Sequence, residues 1–69
     1  KMKKTMKIEG MMCGHCTGRV EKALNALDGV QAEVSLEDKA AYLTIDGDVS
    51  DDTLKKAVED EGYQVVSIA

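Results

Sequence analysis

At 69 residues, with 43% apolar and 32% charged side chains, the chain has apolar content for one small core and too little length for a second domain, so residues 1–69 read as a single domain. No apolar run approaches the roughly twenty residues of a membrane-spanning helix, which excludes direct membrane insertion through one. The net charge of −4, with no basic stripe interleaved with aromatics, excludes a nucleic-acid binder.

The lysines at positions 1, 3, 4 and 7 are not followed by an apolar block, so no targeting segment is expected. Lys1 is not an initiator methionine, and the chain reads as cut from something longer, processed or tagged. Residues 5–9 alternate, with Met6 and Ile8 on one side, and predict a first strand. From Cys16 the apolar positions Val20, Ala23, Leu24 and Leu27 follow a helical period, with Arg19, Glu21, Lys22 and Asn25 facing away. Gly29 is the expected left-handed stop of this helix.

Val30, Ala32, Val34 and Leu36 alternate with polar residues as a second strand. Glu37, Asp38 and Lys39 turn the chain, and Ala41, Leu43 and Ile45 return it as the other arm of a hairpin. Ser50 is an expected helix cap, with Asp51 and Asp52 suited to the positive end of the helix dipole and Val49 spaced to staple onto Leu54. The second helix carries Leu54, Ala57 and Val58 on one face and stops at Gly62. Residues 63–68 form a last strand with Val65, Val66 and Ile68 as its apolar content. Strand, helix, strand, strand, helix, strand points to an α+β, ferredoxin-like βαββαβ sandwich, two helices on one face of a four-stranded antiparallel sheet. That topology places Gly62 and Tyr63 beside the loop that precedes the first helix.

That loop, residues 10–16, reads Gly-Met-Met-Cys-Gly-His-Cys and holds both cysteines and the single histidine of the chain. Gly10 and Gly14 loosen its backbone, and Cys16 is expected to open the helix. Side chains three apart there have Cβ atoms roughly 5 to 6 Å apart, within reach of the roughly 4.6 Å sulfur separation that one thiolate-bound ion requires. The helix N-terminus favours thiolate over thiol. Two cysteines make no disulfide framework, which indicates a reducing, cytoplasmic setting. A structural zinc site needs four ligands, whereas soft thiolates beside thioethers select Cu(I). A two-sulfur Cu(I) site is unsaturated and suits an ion that is passed on. A dithiol oxidoreductase is the rival reading, but no proline is present to stand beside the cysteines as in thioredoxin-like sites.

Motif, length and element order over residues 5–68 resemble the heavy-metal-associated domain family, whose loop reads G-M-x-C-x-x-C. The turns Asp28-Gly29-Val30 and Glu61-Gly62-Tyr63 agree with it. The family comprises copper chaperones, metal-binding domains of copper-transporting P-type ATPases and mercury-binding proteins. The resemblance implies that Cys13 and Cys16 bind Cu(I), that Met11 packs inward to hold the loop, and that Tyr63 screens the metal. Met12 departs from the usual Ser or Thr, and its thioether either faces solvent or touches the ion. His15 stands at a variable position and is read as a solvated or supporting group. From packing alone Tyr63 has two readings, a plain core contact or an apolar lid.

Glu59, Asp60 and Glu61 read as a solvated helix end that, with Arg19 and Lys22 opposite, would rim the loop with both charges and dock a partner domain of the same fold. The expected function is Cu(I) binding and transfer without catalysis, first as a domain of a copper-transporting ATPase and alternatively as a free-standing chaperone. Cys13 is expected to release the ion first and Cys16 to hold it longer. Zn(II), Ag(I), Cd(II) and Hg(II) are the expected competitors, and thiolate sharing between copies would give a metal-bridged dimer.

Overall fold

The computed structural model describes residues 2–12 and 14–69; Lys1 and Cys13 lie outside them. The alternation around Met6 and Ile8 does form a strand, β1 (Met2–Glu9), which begins three residues before the predicted start. It is followed by α1 (Gly14–Asn25), the hairpin β2 (Val30–Ser35) and β3 (Ala40–Ile45), then α2 (Asp51–Glu59) and β4 (Gln64–Ile68). The strands pair antiparallel in the order β2-β3-β1-β4. This is the predicted ferredoxin-like sandwich.

One sheet face presents Met6, Ile8, Val30, Leu43 and Ile45 to Val20 and Leu24 of α1 and to Leu54 and Val58 of α2, and these side chains form the buried core. Burying each stabilises the fold by about 1.5 to 3 kcal/mol before entropy is set against it. Among the described residues no helix is long and apolar enough to cross a membrane.

Several boundaries differ from the sequence reading. Leu36, placed in the second strand, instead enters the turn and is exposed, since β2 ends at Ser35. Gly29 does not stop α1, which ends at Asn25. Its positive φ of 79° serves the start of β2, where its carbonyl accepts from Asp46 N at 2.7 Å and a Cβ would sit 2.1 Å from the Asp46 carbonyl oxygen. Glu21 and Asn25 do not simply face away, because both side chains turn back onto the backbone of β2. Gly62, at positive φ, does end the turn after α2.

In β4, Ser67 pairs with Lys7 and Val65 pairs with Ile8, so Val66 has no partner across β1. This one-residue register shift lets Val65 and Ile68 both face the core while Val66 is 59% exposed. Odd spacing cannot put two residues on one side of a regular strand. The shift also sets the phase of what precedes: Tyr63, two residues before Val65, packs against the helix-side core.

Candidate metal centre

α1 begins at Gly14, so Gly14 and His15 are helical and Cys16 is the third residue of the helix, not its opening. Gly14 is therefore an ordered first residue, not a loosened loop position. The Thr17 hydroxyl donates to the Gly14 carbonyl at 2.8 Å and tightens this first turn. Thr17 had no role in the sequence reading, and its spacing of three from Gly14 was the available signal. No acidic residue stands in the first turn. The positive end of the helix dipole there favours a thiolate nearby.

Cys16 is half-buried and packs against the core together with Tyr63. The Tyr63 hydroxyl hydrogen-bonds to the Cys16 sulfur, which holds the phenol above its ordinary pKa. Partial desolvation adds to this, while the Arg19 guanidinium, also at the hydroxyl, opposes it. Arg19 lies one helical turn beyond Cys16, so both reach the same ring. The sequence reading gave Arg19 only to the rim.

Gly10 completes this corner. Its φ of 98° carries the chain out of β1, and a Cβ there would lie 3.5 Å from Cδ1 of Tyr63. Met11 is 4% exposed and belongs to the core, so its thioether is packing. Met12, by contrast, is 86% exposed and points to solvent. His15 is exposed on the helix. Cys13 lies outside the described residues, and so does the separation of the two sulfurs.

Arg19, Lys22 and Glu61 line one shallow groove between α1 and the turn after α2, and Asp60 and Glu61 line the adjoining one with Ala23 and Ala57. Glu59 lines neither. Among the described residues no three His, Cys, Asp or Glu side chains come close enough to hold an ion together. A closed four-ligand zinc site would need three of them besides Cys13. The donor chemistry in place, a sulfur at a helix start with no adjacent carboxylate, suits a soft ion.

The profile of the heavy-metal-associated domain matches residues 5–64. Copper chaperone CopZ of Staphylococcus aureus (strain MRSA252) is 48% identical over 63 residues, covering 88% of this chain and 93% of the relative. Among solved structures, a CopZ metallochaperone superposes with a TM-score of 0.89 at 43% identity, over 94% of this chain and all of the other. The Cu(I)-loaded N-terminal domain of a potential copper-translocating P-type ATPase from Bacillus subtilis gives 0.85 at 35% identity, over 91% of this chain and 81% of the other.

Proposed function

This chain belongs to the heavy-metal-associated domain family, and from that premise we propose that it binds Cu(I) through Cys13 and Cys16 and passes the ion to a partner domain. The observation that carries the reading is the setting of Cys16: a half-buried sulfur in the first turn of α1, free of acidic neighbours there and braced by the Tyr63 hydroxyl. Thiolates bind soft monovalent copper in preference to harder ions. With two sulfurs the ion stays under-coordinated, so an incoming thiolate adds before the first pair releases. Cys16, fixed in a helix, is the ligand that holds longer, and Tyr63 lies over it as a screen.

The free-standing chaperone is better supported than the ATPase domain favoured from sequence, because the identity is 48% to the Staphylococcus chaperone against 35% to the ATPase domain. Either way the chain does no catalysis of its own, and its setting is the cytoplasm, where thiols stay reduced. Its partners are another heavy-metal-associated domain or a copper-transporting ATPase. Arg19 and Lys22, facing Glu61 and Asp60, with Glu59 beyond, form the mixed-charge rim that orients docking. Met12 adds an exposed apolar contact and His15 a solvated one beside it. Zn(II), Ag(I), Cd(II) and Hg(II) compete for the sulfurs, and two copies sharing thiolates around one ion form a metal-bridged dimer.

Competition with a Cu(I) chelator tests the reading. The parent should take Cu(I) from the chelator, and Cys13→Ser and Cys16→Ser should each lose this by orders of magnitude while keeping the fold by circular dichroism. A parent that leaves the copper with the chelator but turns over a disulfide substrate would be an oxidoreductase, and the copper reading would be wrong.

A further inference from the structure

The outer edge of β2 is closed by side chains. Gly29 and Asp46 are bonded across the hairpin, the Asp46 N–H donating to the Gly29 carbonyl, and Gln31, Glu33 and Ser35 follow in the same phase. In an antiparallel pair the intervening residues, Val30, Ala32 and Val34, therefore turn their N–H groups away from β3 toward the edge. All three are occupied. Val30 N donates to the Leu27 carbonyl at 3.2 Å, Ala32 N to Asn25 Oδ1 at 2.8 Å, and Val34 N to Glu21 Oε2 at 3.3 Å. Asn25 also donates from Nδ2 to the Ala32 carbonyl at 3.3 Å, so it makes both bonds that a neighbouring strand residue would make.

The match is geometric. Four helical residues rise about 6 Å, and two strand residues advance roughly 6.6 Å. Glu21 and Asn25 can therefore meet alternate residues of β2 as α1 runs back along it. A bare edge of this kind is a template for another strand. Among the described residues no side chain caps the outer edge of β4 in the same way.

We infer that Glu21 and Asn25 act as a surrogate strand that closes the β2 edge against pairing with a second copy of this chain. Without them, two β2 strands would pair antiparallel and join two four-stranded sheets into one of eight. The closed edge removes β2 from the surfaces through which two copies can associate.

The test compares the parent with the variant E21A/N25A, both reduced and treated with chelator so that no metal bridges copies. Sedimentation is read from micromolar to millimolar protein, with amide hydrogen exchange at Ala32 and Val34. The parent should stay monomeric with both amides protected. In the dilute variant both should exchange about tenfold faster, as expected for loss of one hydrogen bond each. On concentration the variant should dimerise and both amides should regain protection. A variant that stays monomeric at millimolar concentration, or that dimerises with these amides still exposed, overturns the inference, as does fast exchange in the parent. Should the double variant not fold, Asn25→Ala alone is read in the same way at Ala32.

Discussion

The two helices start differently. At α2, Ser50 takes an extended conformation, its hydroxyl accepts from Thr53 N at 3.2 Å, and Asp51 and Asp52 occupy the first turn. Lys4 of β1 pairs with Asp51 and ties that turn to the sheet. Val49 packs against the core just before the cap, at the staple spacing from Leu54. At α1 the first residue is a glycine and acid is absent from the first turn. The acids and the serine cap stand at α2, and the start that carries a cysteine has no acid in its first turn. Stabilising acids and a cysteine thiolate compete for the same positive end of a helix, and here the acids and Cys16 stand on different helices.

The largest expected effect falls on the stabilising helix. Leu54→Ala removes a fully buried side chain of α2 and should cost about 2 to 5 kcal/mol, seen as a lowered urea midpoint. Ser50→Ala should cost about 1 kcal/mol and leave Cu(I) competition untouched; any loss of copper binding would break the division of labour. Gly14→Asp has open space around it and gives α1 the acid it lacks. Thermal stability should rise by about 0.3 to 1 kcal/mol, while copper retention at neutral pH should fall because the carboxylate disfavours the Cys16 thiolate.

The smallest effect is spectroscopic. In a Tyr42→Phe background, which removes the other phenol of the chain, also held above its ordinary pKa, chiefly by its hydrogen bond to Asp38, the phenolate absorbance of Tyr63 should rise at a pH above the ordinary value. Cys16→Ala should lower that midpoint, since the bond to sulfur is the leading cause of the shift. The sign follows from linkage. A folded-state pKa raised above the unfolded one gives stability that is complete below about pH 10 and is lost as pH climbs through the folded value.

Most of this was legible in the residues. Alternation and helical spacing located all six elements, and Ser50, Asp51 and Asp52 announced the start of α2 by residue type alone. The start of α1 was read two residues late because Gly14 and His15 carry no apolar signal, so the periodic pattern became visible only at Cys16. The side chains of Glu21 and Asn25 were read as solvent-facing because helical periodicity reports which face is buried and is silent on hydrogen bonds to a strand distant in sequence. Val65, Val66 and Ile68 could not all be placed inside by alternation, and only the pairing with β1 reveals which one is expelled.

That expelled residue has a consequence for the cysteine corner. Were Val66 instead to pair with Ile8 as in a regular strand, the preceding segment would shift by one step and the aromatic ring would swing to the far side of the sheet. The ring's place beside the sulfur is therefore a matter of counting: its identity is written at one position, and its address is written three residues downstream.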